Sequence, residues 1–590
     1  MRARAKQSRK MSFVVPGGYR ICRLTAGGWL MQPLDPGLGT YWLPQPLTLR
    51  RLDAWNHILE ERRAPIAAFE CSPSQTSLGV SIPEGWALDC TLWHLPPSSS
   101  IELQTLCPLE TQGIFLWGSH TLYRRPADVY KHVIHGHVYE NRATWPKHWK
   151  ISSENDAHAL YTALSGLELA TGKHFYQLLK RQLVMCVIER QGKDGGWRHG
   201  EWTDRMEAHL RLHCSGMHML LDALSERDDV AIRTALEHAA AFLSRQVDRL
   251  DVGSWLLHDE LEHSVEAMRE GPFRWQPSRA LGKSPANMLV LNSHLDGAIA
   301  LHRYGEATGS REHEPLVSEA RRATRAVMSL RTADWLYRAM FWAIRLTFLP
   351  TAIGAALPLH RRAMKRVAWR WLVPMLPWIK ARFPRLVMPG GYIDRELSLR
   401  VLAHDYLPIN LMDILRYGRR FQAESNEKAV RDGFALIHEA RMFERWPEMG
   451  KAYALGFWAE ALYQACLLYR DSTFVSWLAN AIVQLEKRAL GVPPSLLGAN
   501  GEAVRMDHQV PTPLVDDDRI RVVNLCTEAA YDFLLVNCAD TPIEVAVIRH
   551  APQGLVWTAG ETEKPTPSPS EIPAWGWLRG RGARAAPAAA

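Results

Sequence analysis

The stretch SENDAHALYTALSGLELATGKHFYQLLKRQLVMCVIERQG, residues 153–192, decides the fold. Ala157, Tyr161, Leu164 and Leu167 recur at helical spacing, and Ser153 with Asp156 supplies a capping box-like start. Beyond Thr171-Gly172 a second stripe follows: Phe175, Leu178, Leu179, Leu183, Cys186 and Val187. A glycine after the last helical turn lets the chain leave a helix left-handed, so Gly172 marks a tight reversal between two helices. The unit returns at 285–332, where LNSHLDGAIALHRYGEATG (291–309) places Thr308-Gly309 as Thr171-Gly172 stands before. A weaker copy occupies 450–488, with RDSTF in place of the Thr-Gly turn. Helix pairs of this kind bury a continuous core only by stacking on one another. The copies are irregularly spaced, unlike a fixed-period solenoid, which favours a closed ring around a cavity over an open scaffold.

The flanks read differently. Residues 1–12 are a basic tail, expected to be disordered. Residues 13–125 read as a β-rich domain of strands and turns (YRICRL, GWLMQPL, ALDCTLWHL), interrupted by one helical run at 48–64. Residues 126–530 form the helical domain. A helix at 525–537 and strands to 564 (IEVAVIRH, GLVWTA) follow, and 565–590 is a low-complexity tail expected to be disordered. The predicted fold class is mainly α: an (α/α) toroid, either incomplete or a six-hairpin barrel, with an N-terminal β-rich domain and short C-terminal strands.

Residues 338–385 stand apart, with ten Arg or Lys residues and no Asp or Glu. The longest uncharged stretch, Leu346 to Leu359, is too short to cross a bilayer. Trp, Phe and Leu interleave with the basic residues. That suits a helix lying on an anionic lipid surface, or a packing segment with snorkelling arginines. Pro350, Pro358, Pro374 and Pro377 are expected to break the segment into pieces.

Composition narrows the function classes. The chain has 590 residues, 47% of them apolar, and a net charge of +8. Tryptophan (23) outnumbers tyrosine (16) and phenylalanine (15), and its wide face suits cores and sugar stacking alike. A basic balance favours an acidic partner. The nine cysteines are scattered and never form CxxC, which speaks against a zinc ribbon and a disulfide framework. No metal and no cofactor are expected. No nucleic-acid module is recognisable. The N-terminal MRARAKQSRKMSFVVPGG lacks the apolar run of a signal peptide, so a cytoplasmic location is expected, with an inner-membrane periphery for 338–385. A homo-oligomer stays open.

Four clusters carry candidate chemistry. The first, QGKDGGWRHGEWTDRMEAHLRLHCSG (191–216), is a glycine-rich loop running into a helix. It offers Glu201 and Asp204 as paired carboxylates, and Trp197, His199, Trp202, Arg205 and His209 as binding groups. The second, GSWLLHDELEHS (253–264), offers His258 and Asp259 as proton-transfer groups beside Trp255; its order is not that of a zincin helix. The third, SPANMLVLNSHLDG (284–297), offers Asn287, Asn292 and His294. The fourth, at 388–420, offers Tyr392 and Tyr406 as acid/base tyrosines beside Arg395, with His404 and Asn410 as binding groups. A cation near a tyrosine favours its ionised form.

DGGW after a helix and Thr-Gly between paired helices resemble the repeats of helical-toroid proteins: glycoside hydrolases, polysaccharide lyases, uronate C5-epimerases, and also terpene cyclases and protein prenyltransferases. QGKDGGW is similar to the Gln-Trp repeat of terpene cyclases, but in one copy. Their DxDD pattern is missing, and Asp516-Asp517-Asp518 lies in a proline-flanked loop. NSHLDG resembles the inner-helix segments of uronate C5-epimerases and lyases. That resemblance implies a His or Tyr taking the C5 proton while Arg, Asn or His neutralises the uronate carboxylate, and it assigns such roles to His294 and Asn292.

The leading expectation is therefore a carbohydrate-active enzyme on an acidic polysaccharide or its intermediate, working by lyase or C5-epimerase proton abstraction. The alternatives are a glycoside hydrolase using Glu201, Asp204, Asp259 or Glu262, a non-catalytic scaffold in polysaccharide or glycolipid assembly, and, last, a terpene cyclase-like toroid.

Overall fold

The structure is a computed structural model. It describes all residues except 1, 5–8, 45–46, 53–57, 65, 90, 135–136, 139, 146–147, 152, 200–201, 204–206, 423–425, 546–547, 561–563, 567–570 and 585–590. The stretch 153–192 forms two helices, α1 (Glu154–Thr171) and α2 (His174–Arg190). Ser153 Oγ accepts the Asn155 N–H as the N-cap, and Gly172 ends α1 left-handed at φ 69°. The same hairpin recurs as α3 (Leu210–Glu226) with α4 (Val230–Ser244), and as α5 (Leu291–Thr308) with α6 (Glu314–Ser329). It recurs again as α7 (Leu407–Phe421) with α8 (Glu427–Glu439), and as α9 (Ala454–Tyr469) with α10 (Ser472–Glu486). Gly309 repeats the left-handed cap at φ 74°; in the last hairpin Arg470 takes that conformation at φ 53°.

Burial separates two layers. The odd-numbered helices are buried almost all round, with Ala459, Leu462 and Tyr463 of α9 excluded from solvent on every side. The even-numbered helices bury one stripe and expose the rest; α6 buries Val317, Ala320, Ala323, Thr324 and Val327. Helix α1 packs on α3, α3 on α5, α5 on α7 and α7 on α9, and the short turn Pro494–Leu497 packs on both α9 and α1. Gly166 of α1 faces that turn closely: a Cβ there would overlap the side chain of Leu497.

Strand-rich regions flank the helices. At the N-terminus lie three antiparallel sheets, one of them built from Arg9–Pro16, Gln75–Ile82 and Ile66–Cys71. The first of these strands overlaps the tail expected to be disordered. The helix expected at 48–64 is instead an antiparallel pair, Thr48–Leu52 with Ile58–Arg63. Leu47 and Leu49, two residues apart, both enter one small core, so strand pairing over that core outweighs helical propensity here. At the C-terminus the helix expected at 525–537 is the strand Ala530–Asn537, whose Phe533 to Val536 are buried. Its partner is Trp577–Ala583, inside the tail expected to be disordered. That strand holds because Leu578 and Arg579 are buried, the latter on Asp532 at 2.7 Å.

Residues 334–382 form a helical insertion between α6 and α7. Helices begin after Pro350 and after Pro358, as the prolines require. Pro374 and Pro377, by contrast, sit inside one continuous helix, Leu359–Arg382. A π-turn at Ala368–Leu372 lies just before Pro374, with the Val373 N–H reaching the Ala368 carbonyl. Among the described residues no helix is long and apolar enough to cross a membrane.

Gly166→Val should destabilise the protein by about 2 kcal/mol or more, because neither α1 nor the 494–497 turn has room to yield. Urea unfolding of the variant and the parent chain measures this.

Candidate functional site

The odd-numbered helices enclose a cavity of about 150 Å³. Each presents one stripe to it at i, i+3, i+4 or i+7 spacing. Helix α1 contributes Asn155 and His158, and α3 contributes Arg211, Ser215 and His218. Helix α5 adds Asn292 and Asp296, α7 adds Met412 and Arg416, and α9 adds Phe457, Glu460 and Gln464. The wall is completed by Trp117, Gly118 and His120 from the loop after the N-terminal sheets, and by Asn500 and Glu502 beyond α10. That loop is pinned over the cavity by Asp156, whose Oδ1 accepts the Gly118 and Ser119 N–H groups.

One ion network lies across the floor. Arg416 contacts Asp413 and Glu502 at 2.5 Å each and Asp296 at 2.7 Å. Arg211 reaches Asp413 at 2.9 Å and Asp296 at 3.3 Å. His218 adds a hydrogen bond to Asp296 at 3.1 Å. Burial alone would raise the Asp296 carboxyl, but Arg211 and Arg416 hold it far below the usual carboxylate range. Glu502 is held low in the same way, by Arg416 against burial. Both are fixed anions.

Glu460 differs. Burial pushes it up to about 7, although Ser495 and the Trp117 indole N–H, at 2.9 Å, hydrogen-bond to it. It is the cavity carboxyl that exchanges a proton near neutral pH.

At the other end of the cavity, residues from all four sequence clusters meet. His209 caps α3, accepting the Arg211 N–H at Nδ1. Its ring lies 4.3 Å from that of His258. His258 shares a hydrogen bond with Ser293 through Nδ1, at 2.5 Å, and its Nε2 accepts from Arg395 at 2.7 Å. The Arg395 guanidinium lies 4.2 Å from the centre of the Tyr406 ring. Asn292, one residue before Ser293, lines the cavity beside them, and its Oδ1 accepts no hydrogen bond among the described residues. Burial and then Arg395 push His209 down to about 3; burial and then His209 hold His258 well below the usual imidazole range. Both imidazoles are therefore neutral at pH 7. Tyr453, hydrogen-bonded to Asp405, stacks on the exposed ring of His120 at 4.3 Å and forms an aromatic rim.

Single backbone bridges hold these loops together. His209 pairs with Asp259, and Val290 with Glu396. The Leu210 N–H reaches the His258 carbonyl, and the Leu291 N–H reaches the Arg395 carbonyl. The loops thus cross the N-terminal ends of α3 and α5.

The remaining sequence candidates lie elsewhere. Glu201, Asp204 and Arg205 fall outside the described residues. Trp197 is core, donating to the Val187 carbonyl at 2.9 Å, and His199 bonds the buried Glu154. Trp202 is half-buried against His209 and Phe273. Asp259 accepts the Leu261 N–H at 2.9 Å, capping a short turn. His294 is buried away from the cavity, stacked on Trp255 at 3.7 Å. Its Nδ1 accepts the Leu256 N–H, and its Nε2 pairs with Thr324. Asn287 is engaged with Asp248 and the Leu289 N–H. Tyr392 is core between Phe341 and Phe348, His404 packs near Phe348, and Asn410 donates to the Ile393 carbonyl.

The sequence candidates omitted Trp117, Glu460 and Glu502, and also Arg416, although it lies inside the fourth cluster. A signal was present for Glu460: it is the lone carboxylate in the apolar helix ALGFWAEALYQACLLY. Among the described residues no group of three or more His, Cys, Asp or Glu is placed to hold a metal.

No family model matches the chain, and no curated protein matches it. Solved structures give faint likenesses. A Zn-binding triple mutant of the glycoside hydrolase family 9 endoglucanase J30 is 10% identical, covering 73% of this chain and 81% of its own at a TM-score of 0.20. A metagenome-derived family 9 endoglucanase is 11% identical, covering 72% and 82%, at 0.21. A single mutant of a thermostable endoglucanase from Alicyclobacillus acidocaldarius is 12% identical, covering 87% and 90%, at 0.19. Scores of this size fix neither fold nor activity.

Proposed function

We propose that the five hairpins close as an (α/α) toroid and that the chain is a carbohydrate-active enzyme abstracting the C5 proton of a uronate, as a lyase or a C5-epimerase. The observation that carries this reading is Tyr406 at the cavity wall, with the Arg395 guanidinium 4.2 Å from the centre of its ring. Proton abstraction next to a carboxylate needs a base and a cation that spreads the charge of the developing enolate. Tyr406 lines the cavity with a guanidinium under its ring, which favours negative charge on the phenolate oxygen. The two neighbouring imidazoles are less suited to the base role. The His258 Nε2 lone pair is occupied by Arg395, and the His209 Nδ1 lone pair by the Arg211 N–H. The Asn292 carboxamide lines the cavity beside them. Glu460, with a pKa near neutrality, supplies the acid that protonates the leaving oxygen in elimination, or C5 in epimerisation. The aromatic rim of His120 and Tyr453 suits stacking against a sugar ring.

Hydrolysis is the second reading, and Glu460 favours it: a carboxyl raised to about 7 is what a glycosidase acid requires. Its weakness is the partner. The other cavity carboxylates, Asp296 and Glu502, are both locked on Arg416.

Tyr406→Phe should lower kcat on a uronate-containing oligosaccharide by about a hundredfold or more while the fold is kept. An ultraviolet-absorbing unsaturated product marks the lyase; deuterium uptake at C5 without cleavage marks the epimerase. Reducing ends released at an unchanged rate by the Tyr406→Phe variant would select hydrolysis and sink the proposal.

Glu460 gives a second prediction, with its sign set by the raised pKa. The folded state holds this proton up to about pH 7, whereas an unfolded glutamate releases it near 4.5. Its contribution to stability is therefore present below about pH 4.5 and is lost as pH rises through 7. Glu460→Gln should raise the Tm relative to the parent chain at pH 8, leave it nearly unchanged at pH 5, and abolish turnover at both. Thermal unfolding and initial rates at the two pH values test this.

A further inference from the structure

The outer face of the helical insertion is unlike the rest of the surface. Trp335, Trp342, Trp369, Trp371 and Trp378 are each between 58% and 75% exposed, and Leu359, Val367 and Met375 are exposed with them. Along the continuous helix Leu359–Arg382, the residues Leu359, Val367, Trp371, Met375 and Trp378 follow one another at intervals of seven to eight or three to four. That spacing keeps them along one side. Arg361, Arg362, Arg366, Arg370 and Arg382 are exposed between them and form no ion pair among the described residues. Other basic residues of the insertion are paired: Arg338 with Asp334, Arg345 with Glu439, Lys380 with Asp394 and Arg385 with Asp334.

Large exposed aromatics cost free energy in water, and an unpaired run of cations repels itself. One environment relieves both. Tryptophan is at home at the level of lipid headgroups, where its ring is half-buried and its indole N–H stays hydrated. Arginines on the same helix meet anionic headgroups there. No acidic residue lies in 338–385 to oppose that contact. The helix carries seven Arg or Lys residues, too many to cross the bilayer, so it would lie in the plane of the surface. A second protein partner would have to match both the tryptophans and the uncompensated arginines; a bilayer of mixed charge does so without shape-matching.

We infer that this insertion is a membrane-docking surface that seats the protein on anionic lipid. The opposite face of the same helix is tied to the catalytic loop. Lys380 reaches Asp394 at 2.6 Å and the Glu396 carbonyl at 2.7 Å, on either side of Arg395. Docking therefore holds the Arg395 loop at a fixed place relative to the bilayer. The inference does not depend on which reaction the cavity performs.

The test is co-sedimentation of the full chain with vesicles of phosphatidylcholine alone and of phosphatidylcholine mixed with phosphatidylglycerol. Binding is expected to the mixed vesicles, much weaker binding to phosphatidylcholine alone, and loss of binding near 1 M salt, where the Debye length falls to about 3 Å. The Trp371→Ala/Trp378→Ala variant and, separately, the Arg362→Glu/Arg366→Glu variant should each bind at least about tenfold more weakly. All four positions are exposed, so circular dichroism and Tm should match the parent chain. The proposal is overturned if the parent chain stays in the supernatant with anionic vesicles, or if both variants bind as it does. It is also overturned if the tryptophan variant turns a parent dimer into a monomer in sedimentation velocity while vesicle binding is absent. That result would assign the face to a second copy of the chain.

Discussion

Arg416 is the interaction on which the interior depends. A buried guanidinium cannot shed its charge, so carboxylates must come to it. Asp413 on its own helix, Asp296 on α5 and Glu502 beyond α10 do so within 2.7 Å. Arg211 on α3 shares Asp413 and Asp296, which draws a third helix into the same network. A network of this kind is weak evidence for net stability, because desolvation consumes much of the Coulombic gain. It is strong evidence for position. Removing one partner strands a buried charge, so the three helices keep one relative placement.

That placement creates the difference between the two ends of the cavity. Near the network, Asp296 and Glu502 are matched and held ionised, while burial raises the Asp413 carboxyl. Glu460 lies beyond direct contact, backed by the Trp117 indole, and there burial outweighs Arg416. The same contrast holds for the histidines. His218 bonds Asp296, yet burial keeps it neutral down to about pH 4; His209 and His258 are buried beside Arg395, which lowers both further. The cavity therefore holds a carboxyl that exchanges its proton near neutrality, neutral imidazoles, and a tyrosine over a cation.

The paired helices were legible because their signals are local: a 3.6-residue stripe, a capping serine and a glycine at the turn. The sheets were misread where signals compete. Residues 48–64 carry charged and apolar residues at spacings that fit either period, and the core beneath Leu47 and Leu49 decided for strands. The strand Trp577–Ala583 hid in low-complexity sequence, because its place depends on Ala530–Asn537, some fifty residues earlier in the chain.

For the site, the sequence by itself determined which segments carry reactive side chains, and each of the four clusters supplies at least one residue to the place where they meet. Only the tertiary structure decided which residue of each. Asn292 and Asp296 are four apart and share a helix face, so both reach the cavity. His294 is two from each, about 200° round the helix from both, and it turns to Trp255 and Thr324 instead. His209 and His213 are four apart yet part for another reason: the first is the extended N-cap at the cavity, outside the helical rotation, and the second packs on Phe242 of α4. Helical rotation is periodic and can be read along one chain. The direction of the cavity is set by where neighbouring helices stand, and no single segment encodes that.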